Sequence, residues 1–381
     1  MLSRNYLSVG LSLAGLVSSV LYLTGCGDGG SGSGAPSSSS VPLSASVSSS
    51  ASASASEPSS EPLSGTVLRV GYQQGGSSTL PMIAREEKYF ERAGVQTDFV
   101  LFTSSSDGLN ALNANKLDLG VSFGTCAPLT FASKGPKFVI IAGNLSGGHP
   151  VMVKPEYASQ YKSIQDFRGK TVGTPRIFTS DVVFRGALHD AGIDPEKDLK
   201  IVEFKRPIDV LEAVKSGKVD VGIGVTNTIG RALQSGLALP LWSNDFFPNH
   251  PCCRIVATEE AIRDRRPELV RFLKGLLLAD KKFSEDPESG VRADINQQKF
   301  SEKLARDLVL EPHSQLSADP NRKGVENMWS YMRRIGYAKG DLDLSKVIDT
   351  SLYEEALGQL RKESPDPYWE KLAKRFEEQN R

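Results

Sequence analysis

A stretch of fourteen residues occurs twice, 102 positions apart, and this duplication limits what the chain can fold into. Residues 107–120 read DGLNALNANKLDLG, and residues 209–222 read DVLEAVKSGKVDVG. Asp107 matches Asp209, Leu109 matches Leu211, Ala111 matches Ala213, and Lys116 matches Lys218. Asp118 matches Asp220, and Gly120 matches Gly222. In each copy the apolar spacing predicts an amphipathic helix (106–114 and 208–216), a tight turn and a buried strand (117–123 and 219–225). A repeat of this length is a supersecondary unit used twice, so it must be sought before any catalytic motif.

The correspondence extends upstream. Val70-Gly71 and Val172-Gly173 keep the 102 offset, each closing an apolar strand before a Gly-, Ser- or Thr-rich loop. Gly94 and Gly192 stand where a helix C-cap is expected. Second strands follow at 97–102 and 199–204. Each unit is strand, loop, helix, strand, helix, strand, which predicts α/β architecture with a mainly parallel sheet. Ligands of such sheets sit beyond the carboxyl ends of the strands, where helix N-termini converge. Two such lobes would face each other across a cleft, joined by crossings near 150–160 and 240–250. Lobe 1 is expected over 66–153 plus 250–381 and lobe 2 over 154–249. A charged segment, 364–381, reads as a solvated surface helix.

The first 65 residues are of another kind. Arg4 precedes an apolar run from Tyr6 to Leu23 that ends in Leu23-Thr24-Gly25-Cys26. A charged start, an apolar middle and small residues before a cut make an export signal over 1–25. The final tetrad resembles a bacterial lipobox, which implies cleavage before Cys26 and a diacylglyceryl group on its sulfur. Residues 27–65 hold 17 Ser, six Gly and three charges. That composition cannot bury a core, so 26–65 reads as a flexible tether with a span of roughly 35 Å. Lys plus Arg and Asp plus Glu are 45 each, so no charge field argues for nucleic acid.

The cleft-facing loops supply the candidate site residues. After the first strand come Gln73, Gln74, Gly75 and Ser77, where glycine lets a backbone approach a ligand. After the second come Ser104 and Ser105, either of which could also cap the next helix. Thr125 and Cys126 follow the repeated strand of lobe 1, and Cys126 could equally be a small buried hydrophobe. In lobe 2, Arg176, Phe178, Thr179 and Ser180 precede a helix, a pattern suited to an anionic head group. Thr226 and Asn227 end the second repeated strand. His149 reads as a hinge or rim residue. The four histidines show no metal-ligand spacing. The adjacent Cys252 and Cys253, with His250, fall short of a closed zinc site. No metal, cofactor or catalytic residue is expected.

The stretches 68–74 (LRVGYQQ), 111–124, 164–174 (IQDFRGKTVGT), 188–193 (LHDAGI) and 220–224 (DVGIG) resemble periplasmic substrate-binding proteins of ABC transporters. The subgroup is the one for nitrate, alkanesulfonate, taurine and thiamine-pyrimidine precursors, and 343–349 and 352–356 resemble its closing helices. The resemblance spans about 66–357. It implies a type II periplasmic binding protein fold: two doubly wound α/β lobes, a cleft and a hinge. It implies a monomer that hands a small-molecule solute to an ABC permease and its ATPase, held at the membrane by the lipid on Cys26. The place would be the cell envelope, periplasmic or on the outer face of the membrane. Arg176 and the helix ends suggest a sulfonate- or nitrate-like anion, and Arg176→Ala should then cost at least tenfold in affinity. A neutral or aromatic pyrimidine is the rival cargo. Pro-Cys-Cys also recurs in the family near the return crossing. An enzyme on the same fold is the other alternative, since yeast pyrimidine synthases resemble this chain, but they carry a longer cysteine cluster. A sensor reporting to a membrane receptor is a third.

Overall fold

The computed structural model describes residues 65–135 and 137–381. The expected signal, Cys26 and nearly all of the tether lie outside the described residues. Among the described residues no helix is long and apolar enough to cross a membrane.

Among the described residues, eleven strands form two separate sheets. The first contains β1 (Val67–Tyr72), β2 (Gln96–Leu101), β3 (Leu119–Gly120), β4 (Phe138–Gly147), β10 (Pro251–Thr258) and β11 (Ser314–Leu316), in the order β11-β4-β10-β3-β1-β2. The second contains β5 (Pro150–Val153), β6 (Thr171–Pro175), β7 (Lys200–Phe204), β8 (Val221–Ile223) and β9 (Ala238–Trp242), in the order β7-β6-β8-β5-β9.

The duplication is visible in the register itself. Val70 of β1 lies opposite Phe99 and Leu119, and Val172 of β6 lies opposite Ile201 and Val221, every position shifted by 102. The repeated aspartate has a structural role. Asp118 accepts the Arg69 N–H at 2.8 Å, and Asp220 accepts the Thr171 N–H at 2.7 Å. Each carboxylate thus satisfies a main-chain donor at the start of the central strand of its unit, a donor that would otherwise need water.

Two expectations need correction. The sheets are mixed rather than mainly parallel, because the strands adjoining the crossings, β4, β5, β9 and β10, pair antiparallel. The lobe boundary drawn at 153 also moves. The apolar strand β5 pairs between β8 and β9 of the second sheet, so the chain changes sheets at Gly148–His149 and returns through 243–250.

The central strands are buried on both faces: Ile140 and Val256 pack on one side of the first sheet, Ile141 and Ile255 on the other. Leu68, Val70 and Tyr72 pack with Ile141, Ile255 and the long Arg266–Glu285 helix. Segment 364–381 is not a solvated helix. In the Pro367–Asn380 helix, Trp369, Leu372, Phe376 and Asn380 recur at three- and four-residue intervals, and all four are buried. The first three join the main core. Asn380 accepts the Arg322 N–H at 2.9 Å and donates to Asp319 at 2.9 Å, tying that helix to the start of the Arg322–Arg334 helix.

The lobes are not separated by open space along their whole length. Val182 and Val183, on the Thr179–Asp190 helix of lobe 2, are buried among Cys126, Leu129, Met328, Tyr331 and Met332 of lobe 1. At the far end of that helix Asp190 accepts from Tyr331 Oη at 2.5 Å and Arg334 at 2.7 Å.

Candidate functional site: a cleft between two lobes

The loops after β1, β3, β6 and β8 converge between the lobes. Gly75 has φ 142°, a region that essentially only glycine occupies. A Cβ at this position would lie 2.3 Å from Asn227 Oδ1 of the opposite lobe. Asn227 in turn donates its amide to the Gln74 carbonyl at 3.1 Å. A second bridge lies at the Cys252 carbonyl, which accepts Thr125 Oγ1 at 3.1 Å from lobe 1 and Thr179 Oγ1 at 3.3 Å from lobe 2. Gly75, Thr125, Thr179 and Asn227, chosen from sequence on both lobes, are therefore brought together.

Other candidates are engaged inside their own lobe. Gln73 Oε1 accepts Ser105 Oγ at 2.7 Å, and the Gln73 N–H donates to Ser122 at 2.7 Å. Ser104 is an N-cap, accepting the Asp107 N–H at 3.1 Å. Gln74 donates its amide to the Gln298 carbonyl at 3.0 Å. Ser77 is buried, and its carbonyl accepts the Asn144 side chain. Thr226 is buried against the Gly147–Gly148 turn.

The expected anion seat in lobe 2 is already balanced. Arg176 is half exposed, forms an ion pair with Glu203 at 2.5 Å and lies over the Tyr337 ring at 5.1 Å. The hydrogen bond that Arg176 donates to Glu203 holds the Arg176 pKa above its ordinary value. The first turn of the helix carries its own carboxylate, Asp181. It is fully buried and accepts the Ile177 N–H at 2.9 Å, Arg185 Nε at 2.8 Å and Tyr337 Oη at 2.7 Å. A carboxylate there occupies the positive end of the helix from within. Phe178 is turned toward solvent at 40% exposure. Ser180 is buried, and its hydroxyl has no protein partner.

Three free thiols, Cys126, Cys252 and Cys253, are buried here, with the Cys252 and Cys253 sulfurs 3.6 Å apart. Burial pushes the Cys126 thiol up to about 12, so it remains protonated and unreactive at neutral pH. Among the described residues no group of three or more His, Cys, Asp or Glu side chains is arranged to hold a metal ion.

Several positions that hold these loops, or carry unanswered polar atoms beside them, have no sequence signal. Gln298, from the Glu288–Gln298 helix, holds Gly75 at both main-chain groups. Asn144 is fully buried and donates to the Val121 carbonyl at 2.5 Å, joining the β1 and β3 loops. Asn144 Oδ1, both ring nitrogens of His149, and His250 Nε2 are buried without a protein partner. Each such orphan costs about 1–3 kcal/mol unless something answers it. A groove of about 580 Å³ on lobe 1, bordered by Arg263, Lys346 and Arg381, includes none of these cleft residues.

Two lobes of repeated topology, crossed twice by the chain and closing polar loops on each other, define the periplasmic binding protein fold. The chain belongs to the NMT1/THI5-like family, whose pattern matches residues 77–289. A protein of Brucella abortus named as a binding protein is 25% identical over 291 residues, covering 72% of this chain and 88% of the relative. Among solved structures, the periplasmic aliphatic sulphonate binding protein of Escherichia coli superposes with a TM-score of 0.63 at 19% identity, covering 75% of this chain and 93% of that one. The periplasmic nitrate-binding protein of Synechocystis gives 0.63 at 15%, covering 77% and 89%. The ligand binding component of an ABC-type import system from Staphylococcus aureus, with zinc bound, gives 0.63 at 16%, covering 76% and 98%.

Proposed function

We propose that this chain is an extracytoplasmic solute-binding protein that captures a small polar molecule between its lobes and delivers it to an ABC permease and ATPase. The observation that carries the reading is the pair of inter-lobe bridges. Asn227 donates to the Gln74 carbonyl, and Thr125 and Thr179 share the Cys252 carbonyl, so both lobes contribute polar groups where they meet. A solute gripped from both sides binds the closed form better than the open one and shifts the equilibrium toward closure. In this reading the protein acts as a monomer, carries a lipid on Cys26, works outside the cytoplasmic membrane and leaves its cargo chemically unchanged.

The cleft favours an uncharged cargo. Arg176, the residue that suggested an anion, is paired with Glu203, and the buried Arg254 donates to the Cys253 carbonyl and Ser146 Oγ with Asp319 as its counter-charge, so the other groups at the cleft are hydroxyls, amides, thiols and imidazoles. A sulfonate- or nitrate-like anion is the second reading, supported by what two of the structural neighbours are named for.

Mass spectrometry of small molecules released from the purified full chain tests the function. An intact solute bound one to one supports it, and a chemically altered product would point to an enzyme. Incorporation of labelled fatty acid, and its loss in Cys26→Ala, tests the anchor.

A further inference from the structure

Each chain crossing carries one histidine, and the fold sets the two together. His149 ends the first crossing and His250 ends the return. Both are buried, and their ring centroids are 5.5 Å apart with the planes tilted by 39°. The main chain of His149 is fully engaged, its N–H donating to Ser243 Oγ at 3.2 Å and its carbonyl accepting the Ser243 N–H at 2.8 Å. Its ring is not engaged: neither nitrogen has a protein partner.

His250 is more informative because one nitrogen is fixed. Nδ1 lies 2.7 Å from the Phe247 carbonyl. A carbonyl can only accept, so Nδ1 carries the proton and Nε2 presents a lone pair. Burial keeps both rings neutral at pH 7, lowering His250 to about 4 and His149 well below its ordinary value. Nε2 of His250 is therefore a buried acceptor with nothing in the protein to donate to it. Ser314 Oγ, also buried and unpartnered, lies beside the same crossing, 2.2 Å from where a Cβ on Gly148 would stand. Buried polar atoms are almost always satisfied. Several orphans around one hinge indicate a partner from outside the chain.

We infer that His149 and His250 are direct cargo contacts, and that they select a solute presenting an N–H or O–H donor to the lone pair of His250. An oxyanion such as nitrate or a sulfonate offers acceptors only and is repelled from that nitrogen. His149, neutral with one donor and one acceptor nitrogen, fits a solute edge that carries both kinds of group, as amides and amino-heterocycles do. This inference rests on the solute-binding reading proposed above and deepens it.

The test uses the full chain and four probes: nicotinamide, cytosine, methanesulfonate and nitrate. Binding is read by calorimetry and thermal shift, and the histidine tautomers by long-range NMR on protein with ¹⁵N-labelled histidine. The expected result is binding of a donor-bearing probe, with His149→Phe and His250→Phe each weakening it at least tenfold. The His250 Nε2 resonance should move from free lone pair to hydrogen-bonded on adding the probe. If an oxyanion binds and both variants keep its affinity, the inference fails while solute capture stands. A His250 tautomer with the proton on Nε2, or an Nε2 that stays unchanged when a probe binds (a buried water only), also overturns it. If no probe binds and no small molecule is released from the purified protein, the solute-binding reading falls, and this one with it. The tautomer measurement needs no substitution, so it decides the matter even if a variant fails to fold.

Discussion

Gln298 brackets Gly75, its side-chain oxygen accepting the Gly75 N–H at 2.8 Å and its amide donating to the Gly75 carbonyl at 3.2 Å. The same amide donates to Asp294 at 2.7 Å, and Asp294 accepts Thr79 Oγ1 at 2.9 Å. One helix thus sets the height of the cleft loop from outside the cleft. Gln298→Ala leaves a buried donor and acceptor of Gly75 unanswered and should lower stability by roughly 2–3 kcal/mol. Urea unfolding of the two proteins measures it. A change under about 0.5 kcal/mol would show that the bracket contributes little.

Gly75 should tolerate no side chain. Alanine there would adopt a glycine-only conformation, at a cost of about 1–3 kcal/mol, and would meet Asn227 Oδ1 at 2.3 Å. Gly75→Ala is expected to hold the lobes apart, weakening solute binding at least tenfold and raising the radius of gyration in small-angle scattering. Adding Asn227→Gly should restore most of the compaction, since the clash is with that side chain. A double variant as expanded as the single one would place the fault in the loop rather than between the lobes.

Asp294 gives stability an unusual pH dependence. Burial raises its carboxyl from 3.8 to about 7 in the folded chain. The folded state therefore holds a proton that the unfolded state releases above pH 4, and the contribution fades as pH rises from 4 through 7. Asp294→Asn, which mimics the protonated carboxyl, should match the natural protein near pH 4 and become the more stable of the two as pH rises toward 8, read as urea midpoints. His250 acts with the opposite sign. Its folded value near 4, against 6.5 for the free group, removes stability as pH falls from 6.5 toward 4. A variant whose advantage over the natural protein failed to grow between pH 4 and pH 8 would refute the assignment.

Arg176→Ala should change cargo affinity by less than about twofold, contrary to what the sequence suggests. Its guanidinium pairs with Glu203 at the surface, an arrangement worth about 0–1 kcal/mol. Calorimetry with the released solute checks it, and a tenfold loss would return the anion reading to first place.

The legible part of the fold was the part written in local periodicity. The 102-residue offset carries over unaltered into strand pairing, down to the matched roles of Asp118 and Asp220. Loops at strand ends were equally legible, and the structure sets Gly75 beside Asn227 and Thr125 beside Thr179. What escaped was partnership over distance. Nothing near Arg176 indicates Glu203, on the neighbouring strand β7. Gln298 reaches Gly75 from 223 positions away and resembles any polar helix residue. The 364–381 segment looked solvated because its charges outnumber its apolar residues, although Trp369, Leu372 and Phe376 line up on one face.

Burial of Val182 and Val183 within the opposite lobe limits how this molecule could be dissected. Cutting at the two passages and expressing the smaller piece alone would leave a greasy stripe uncovered, and the larger piece would bear the matching bare patch over Met328 and Met332. Neither half should be well behaved by itself, yet the two, mixed, should find each other.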